Sequence, residues 1–104
     1  MSETSLKGLQ ASVDAWIQDN GGYWDELSLM CRLTEEVGEL AREYNHRFGA
    51  KKKKASEAES SLQGELADVL WLIVCMANQQ GIDLSEALGE VFTKLQVRDA
   101  GRWT

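Results

Sequence analysis

Residues 25–48 read DELSLMCRLTEEVGELAREYNHRF, and this segment indicates the fold more strongly than any other part of the chain. Its apolar side chains recur every three or four residues, so at ~100° per residue they form one stripe on an α-helix. Six residues make up this stripe: Leu27, Met30, Leu33, Val37, Leu40 and Tyr44. The pattern predicts a long helix that ends at Gly49, because glycine favours helix termination.

The same helix concentrates acidic side chains beside its apolar stripe. Glu36, Glu39 and Glu43 share a sector of roughly 60° that borders the stripe, whereas Glu35 is rotated further outward. Like charges three or four residues apart repel one another by a few tenths of a kcal/mol each. Acids that only keep a helix in solution more often lie opposite its apolar side, so this placement favours a role at a site.

The rest of the chain predicts three more helices and no strand. Apolar residues at helical spacing cover three further segments: residues 5–19, 57–80 and 83–99. Capping side chains are expected at Thr4 or Ser5, at Ser56, and at Asp83, which has capping-box spacing to Glu86. The lysine-rich segment between the second and third helices is expected to form a loop.

Four helices without a strand predict an all-α four-helix bundle that forms one domain over residues 1–104. The third helix is apolar on every side from Val69 to Ala77. A helix of that kind is buried centrally, often against a second subunit. We therefore expect a homo-oligomer built on twofold symmetry.

Composition narrows the class of partner and the compartment. The chain has 104 residues and a formal net charge of -6, which disfavours binding to nucleic acid or to an anionic membrane surface. Its two cysteines, Cys31 and Cys75, lie in apolar helical stretches and are expected to be buried free thiols in a reduced cytoplasm. The N-terminus lacks the pattern of a signal peptide, and the longest apolar run is too short to span a bilayer.

A second acidic pair lies on the third helix. Glu65 and Asp68 are three residues apart and share a face, and an antiparallel return would bring them opposite Glu36 and Glu39. Four carboxylates brought together are costly unless they are protonated, with raised pKa values, or bind a hard divalent cation such as Mg²⁺ or Mn²⁺. Such a site suits chemistry at a phosphate. The alternative is that both faces are simply solvated.

The combined acidic pattern resembles the signature of MazG-type nucleotide pyrophosphohydrolases. Glu36-x-x-Glu39, preceded by Glu35 and followed by Glu65-x-x-Asp68, carries the resemblance, together with LTEEVGELARE, GELADVLWLIVCMAN and VFTKLQVRDAGRW. The segment NHRFG before a lysine-rich loop is similar to the short stand-alone members of that family. The resemblance covers residues 8–104.

The resemblance implies a fold, a reaction and an assembly. The fold would be the all-α nucleoside triphosphate pyrophosphohydrolase type, assembled as dimers or as pairs of dimers. The reaction would convert a nucleoside triphosphate and water to a monophosphate and pyrophosphate, with Mg²⁺ held by Glu36, Glu39, Glu65 and Asp68. Glu35 would support these ligands or orient the attacking water.

Substrate contacts are suggested near the C-terminus and before the second helix. By resemblance Lys94, Arg98 and Arg102 are candidates for contacts to the triphosphate; the alternative is a favourable cluster of cations at a helix C-terminus. Trp24 is a candidate for stacking on a base. Asn78 is a candidate for binding a base edge, or else a polar residue at a helix end.

Two alternatives to a nucleoside triphosphate pyrophosphohydrolase are open. One is a phosphoribosyl-ATP pyrophosphohydrolase, which shares the fold by resemblance. The other is a non-catalytic helical dimer that binds a partner protein and uses its acids only for solubility. Removal of non-standard nucleotides is an expectation from the family, and the sequence does not reveal the preferred nucleotide.

Overall fold

The computed structural model describes residues 5–49 and 61–99, with side chains as far as Arg98. These residues form four α-helices and contain no β-strand: α1 Leu6–Asp19, α2 Glu26–Phe48, α3 Leu62–Gln79 and α4 Leu84–Asp99. The predicted all-α class is therefore confirmed. Several predictions fall outside the described residues: the cap at Thr4 or Ser56, the helix start at Glu57, the lysine-rich loop and Arg102.

Two of the helix starts are capped at residues that the sequence predicts. The hydroxyl of Ser5 accepts a hydrogen bond of 3.0 Å from the backbone N–H of Gly8 at the start of α1. The carboxylate of Asp83 accepts one of 3.2 Å from the N–H of Glu86 at the start of α4. Each side chain satisfies a backbone donor that has no partner within the helix.

Two further caps were not predicted. Asp25 caps α2 and accepts hydrogen bonds from the hydroxyl and the backbone N–H of Ser28, at 2.7 and 3.1 Å. These bonds favour the ionised carboxylate and lower the pKa of Asp25, the hydroxyl of Ser28 having the larger effect. At the start of α3, the hydroxyl of Ser61 accepts a bond of 3.0 Å from the N–H of Gly64.

The C-terminus of α3 ends at a glycine, as predicted. Gly81 has a φ of 71°, a left-handed conformation that residues with a Cβ seldom adopt. Its N–H donates to the carbonyl of Asn78 at 3.1 Å, and the N–H of Ile82 donates to that of Ala77 at 2.8 Å. This pair of bonds is a Schellman motif, which satisfies the last carbonyls of the helix.

The described residues divide into two compact units. The α1–α4 unit contains residues 5–23 and 77–99, and in it α1 packs against α4. The α2–α3 unit contains residues 24–49 and 61–76. None of the described helices combines the length and the apolar character that are needed to cross a bilayer.

A buried glutamine connects three elements of the α1–α4 unit. The side-chain nitrogen of Gln10 donates to Oδ1 of Asn78 and to the carbonyl of Ile82, at 3.0 and 2.9 Å. Its side-chain oxygen accepts from the N–H of Leu84 at 2.9 Å, and the side-chain amide of Asn78 donates back to the carbonyl of Gln10 at 3.0 Å. We refer to these four bonds as the Gln10 clasp. The clasp joins α1 to the end of α3 and the start of α4.

The buried face of α2 is not its apolar stripe. Leu29, Glu36 and Glu43, each seven residues apart, are the buried residues of this helix, with exposures of 4%, 7% and 5%. By contrast, Leu27 of the stripe is 77% exposed and Val37 is 47% exposed. The two acids are therefore better shielded from water than most of the apolar residues beside them.

The second half of α3 is only partly buried. Leu72, Val74 and Cys75 are buried, whereas Trp71 and Ile73 are exposed in the single chain. The residues that remain exposed are as apolar as the buried ones. Central burial of this helix, which the sequence predicts, is therefore incomplete within one chain.

The two cysteines differ in environment. Cys75 is buried, and its desolvation raises the pKa of the thiol. Cys31 is exposed, so the prediction that both thiols are buried is wrong for this residue. The reason is its angular position, since two residues after buried Leu29 a helix has turned by ~200°. Both cysteines are free, as predicted.

Candidate metal centre

Three of the predicted acids converge in the α2–α3 unit. One carboxylate oxygen from each of Glu36, Glu65 and Asp68 lies within 4.8 Å of the other two. Glu36 is supplied by α2, while Glu65 and Asp68 lie on successive turns of α3 and share a face there. We call these three residues the carboxylate cluster.

The carboxylate cluster has the chemistry of a site for a hard divalent cation. All three of its ligand atoms are oxygens, the donor type that Mg²⁺, Mn²⁺ and Ca²⁺ prefer. Mg²⁺ binds oxygens at about 2.0–2.1 Å, so ligands on opposite sides of the ion are about 4 Å apart. The three ligand atoms, all within 4.8 Å of one another, are spread over a distance similar to this. The residues present therefore fit such an ion.

Electrostatic repulsion acts within this region. Partial desolvation raises the pKa of Glu65, and the negative charges of Asp68, Glu39, Glu36 and Glu43 raise it further, in that order. Five carboxylates thus lie close enough to influence one another. A bound divalent cation would relieve this repulsion, because it offsets the charge at short range.

Each buried glutamate of α2 is paired with an arginine. Nη2 of Arg32 lies 2.8 Å from Oε1 of Glu36, and Nη1 of the same arginine lies 3.9 Å from Oε1 of Glu35. Nε of Arg47 lies 3.3 Å from Oε2 of Glu43. Burying a charged carboxylate is costly without a partner of opposite charge, and these arginines supply that partner.

The other predicted acids lie beside the carboxylate cluster. Glu39 is exposed and is not a member of the three-residue group, although its charge acts on Glu65. Glu35 is also exposed, and the side chain of its partner Arg32 is 48% exposed. The acids of α2 therefore differ in depth, with Glu36 at the cluster and its two neighbours facing water.

The predicted substrate contacts are distributed over both units. Trp24 is exposed in the α2–α3 unit, and Lys94 and Arg98 are exposed on α4 in the α1–α4 unit. Asn78 uses both ends of its side-chain amide in the Gln10 clasp. These bonds fix the orientation of the amide, which keeps a second N–H and a second lone pair.

Sequence reasoning overlooked the roles of Arg32, Glu43 and Gln10. The signal for the first two was present, because Arg32 precedes Glu36 by four residues and Arg47 follows Glu43 by four. Pairs at that spacing share a helix face. Gln10 had no comparable signal, since its partners are distant in the sequence.

Comparison with known proteins identifies the family. A sequence model of the MazG nucleotide pyrophosphohydrolase domain matches residues 25–103, which include all five predicted acids. The chain belongs to the MazG family. The predicted resemblance is confirmed, and the protein is an enzyme of the hydrolase class. Family membership argues against the non-catalytic alternative.

Relatives in the MazG family resemble the chain over nearly its whole length. YpjD of Bacillus subtilis (strain 168), an uncharacterized protein, is 50% identical over 105 residues, which cover 100% of this chain and 95% of YpjD. The crystal structure of YpjD, a candidate pyrophosphatase from Bacillus subtilis, matches with a TM-score of 0.79 and 49% identity, covering 90% of this chain and 97% of that one.

A second solved structure supports the same fold. The Bacillus-conserved MazG protein, a nucleotide pyrophosphohydrolase, matches with a TM-score of 0.77 and 44% identity. The match covers 91% of this chain and 93% of that chain. The all-α fold predicted from the resemblance is thus the fold of MazG-type enzymes.

Proposed function

We propose that the protein is a Mg²⁺-dependent nucleoside triphosphate pyrophosphohydrolase. It cleaves a ribo- or deoxyribonucleoside triphosphate between the α and β phosphates, and the products are a nucleoside monophosphate and pyrophosphate. The observation that best supports this proposal is the convergence of Glu36, Glu65 and Asp68 in the α2–α3 unit. A triphosphate is rich in negative charge, so a site made of carboxylates can bind it only through a cation.

The acids have separate roles in this proposal. Glu36, Glu65 and Asp68 hold the cation, and Glu39, one turn after Glu36, is the fourth ligand. When bound, Mg²⁺ or Mn²⁺ supplies neutralisation of the phosphate charge and lowers the pKa of a water molecule. Glu35 orients the attacking water in line with the leaving pyrophosphate and accepts its proton.

Cationic and aromatic residues are the candidates for substrate contacts. Lys94 and Arg98, four residues apart on α4, offer positive charge on one face for the triphosphate, and Arg102 is a third candidate by resemblance. Trp24 is exposed and offers a flat apolar surface on which a base can stack. The preferred nucleotide is proposed to be a non-standard one, as the family resemblance implies.

We further propose that the protein acts as a homodimer or homotetramer. The stripe of α2 and the second half of α3 leave large apolar side chains in water in the single chain, among them Leu27, Val37 and Trp71. Exposed large apolar side chains in such number are typical of a chain that associates through them. Light scattering tests the assembly, and a mass equal to the 11.6 kDa of one chain would contradict it.

The compartment that suits this activity is the cytoplasm. Nucleoside triphosphates are cytoplasmic substrates, and both cysteines of the chain are free thiols. We also propose that residues 1–104 form a single functional domain, as the sequence pattern predicts. Activity of either unit expressed alone would contradict that view.

The reaction is tested by product analysis. The protein is incubated with Mg²⁺ and a panel of canonical and modified nucleoside triphosphates, with phosphoribosyl-ATP as an additional substrate. Pyrophosphate, single phosphate and nucleoside monophosphate are then quantified separately. We expect pyrophosphate and monophosphate in equal amounts, and release of single phosphate would contradict cleavage between the α and β phosphates.

Two variants distinguish the cluster from other acids of the chain. Glu65→Gln removes one charge of the carboxylate cluster and should abolish pyrophosphate release. Glu90→Gln removes an exposed charge on α4 and should leave the rate unchanged. A preference for phosphoribosyl-ATP over every triphosphate of the panel would favour the second candidate, a phosphoribosyl-ATP pyrophosphohydrolase.

A further inference from the structure

Two ion pairs on α2 are alike in construction but differ in surroundings. Glu36 and Glu43 are both buried, and each is paired with an arginine four residues away. The side chains of Arg32 and Arg47 are 48% and 45% exposed, so both arginines reach inward from the surface. The difference is that Glu36 belongs to the carboxylate cluster and Glu43 does not.

The contact made by Arg32 is suited to fixing the orientation of a metal ligand. Arg32 contacts Oε1 of Glu36 through Nη2 at 2.8 Å. Its Nη1 lies 3.9 Å from Glu35, so one guanidinium spans both acids of the doubled pair. The guanidinium is planar and rigid, and it therefore restricts rotation of the carboxylate that it contacts.

We propose that Arg32 is a positioning residue that orients Glu36 toward the divalent cation. The inference rests on the proposed function of the carboxylate cluster. Without the arginine, the side chain of Glu36 would lose the contact that limits its rotation. A freely rotating carboxylate is a poorer ligand, because its oxygen is not held at the position of the cation.

The expected change in metal affinity on removal of Arg32 is estimated from the behaviour of other metal sites. Groups that hydrogen-bond to a ligand typically change metal affinity by about 10–100-fold when they are removed. Arg32 also brings a positive charge near the cation, and its removal would strengthen binding if charge alone mattered. Loss of orientation would raise the Kd of the cation, whereas loss of the positive charge would lower it. The direction of the change in Kd therefore distinguishes the two effects.

The test compares Arg32→Gln with Arg47→Gln. Each variant removes the partner of one buried glutamate, so both should lose stability in the absence of metal. Titration calorimetry with MgCl₂ or MnCl₂ and no nucleotide then gives the Kd of the cation. We expect the Kd to increase about tenfold in Arg32→Gln and to stay unchanged in Arg47→Gln. An unchanged or lower Kd in Arg32→Gln overturns the proposal.

A second variant covers the case in which Arg32→Gln does not fold. Arg32→Lys keeps the charge but loses the planar fork, so we expect a folded protein with a Kd several-fold higher than the wild type. A wild-type Kd in that variant overturns the proposal. The wild type separates the two hypotheses: if it binds no cation, the proposed function fails, whereas equal binding by wild type and variants removes only the role of Arg32.

Steady-state kinetics provide a further distinction. A residue that positions a metal ligand should lose kcat at low Mg²⁺ and regain most of it at saturating Mg²⁺, with KM for the nucleotide little changed. A residue that instead contacts the phosphates would keep a raised KM at every Mg²⁺ concentration. The second pattern in Arg32→Lys would overturn the positioning role.

Discussion

The two units of the chain group polar side chains in opposite ways. In the α1–α4 unit, buried Gln10 has hydrogen-bond partners for both its side-chain nitrogen and its side-chain oxygen. In the α2–α3 unit, the carboxylate cluster brings together three groups that, when ionised, can only accept hydrogen bonds. Arg32 compensates Glu36, yet desolvation and, after it, the charges of the neighbouring acids still raise the pKa of Glu65.

This contrast distinguishes polar groups that stabilise the fold, as in the Gln10 clasp, from polar groups that are suited to binding a cation, as in the carboxylate cluster. A buried neutral amide whose partners are all supplied by the chain contributes to stability and needs nothing from outside. A group of carboxylates that lacks matching donors lowers stability until a cation is bound. Substitutions in the two regions should therefore change different properties of the protein.

The largest effect is expected for Asp68→Asn, which preserves shape and removes one charge of the carboxylate cluster. Pyrophosphate release should fall by at least about 100-fold, or roughly 3 kcal/mol of activation free energy, because a metal ligand matters more than the outer groups that support it. The melting temperature without metal should stay constant or rise, since a like charge is removed next to Glu65.

Calorimetry and a pyrophosphate assay on the same preparation measure both changes for Asp68→Asn. Glu90→Gln on α4 serves as the control and should affect neither property. A variant that retained full activity would remove Asp68 from the site. A variant with a strongly lowered melting temperature would give Asp68 a structural role instead.

The next effect concerns the Gln10 clasp. Gln10→Ala leaves the carbonyl of Ile82 and the N–H of Leu84 without their partner, which should lower the free energy of unfolding by about 2 kcal/mol. Denaturant titration measures the loss. Gln18→Ala, at an exposed position of the same helix, should cost much less. Equal losses in the two variants would show that the clasp has no special importance.

The Gln10 clasp also shows where sequence reasoning stops. Helix type and several helix ends were predictable, because Ser5, Asp83 and Gly81 act on backbone groups a few residues away. The clasp was not predictable, since Gln10 meets Asn78 only after the chain has folded. The periodicity of a short segment contains no information about a contact between residues so far apart in the sequence.

For the candidate site, the sequence indicated which acids share a helix face but not how deeply each is buried. Periodicity groups Glu36, Glu39 and Glu43 together, yet Glu36 and Glu43 are buried and Glu39 is exposed. The reason is that residues seven apart return to nearly the same angle on a helix, whereas Glu39 is displaced by ~60° from Glu36. The face that meets a neighbour is decided by the tertiary structure.

A smaller effect is expected at the cap of α4, in the same unit as the clasp. Asp83→Ala should lower the free energy of unfolding by about 1 kcal/mol, because two backbone N–H groups lose their acceptor. Asp83→Asn keeps an oxygen in the same place and should be nearly as stable as the wild type. Thermal denaturation compares the two variants, and similar losses in both would point to the charge rather than the cap.

The smallest effect we expect is a dependence of stability on pH that originates in the carboxylate cluster. The pKa of Glu65 is raised above its ordinary value of 4.5, so protonation of this group favours the folded state. The resulting stabilisation is fully present below the ordinary pKa and is lost as the pH rises through the raised pKa of the folded protein. Without metal, the free energy of unfolding should therefore increase as the pH falls from neutrality toward that range.

Glu65→Gln isolates this contribution, because glutamine does not titrate. Denaturant titrations with EDTA at a series of pH values should show a shallower slope for the variant than for the wild type. The lowered pKa of Asp25 has the opposite effect, because it stabilises the folded protein when Asp25 is ionised. This stabilisation is lost only when the pH falls below the ordinary value of 3.8, which lies below the pH range of the Glu65 effect. Mg²⁺ should reverse the slope of the wild type, because the cation binds the ionised cluster and competes with protons. Identical slopes for wild type and variant would mean that Glu65 is not repelled by its neighbours, and the contrast between the two units would disappear.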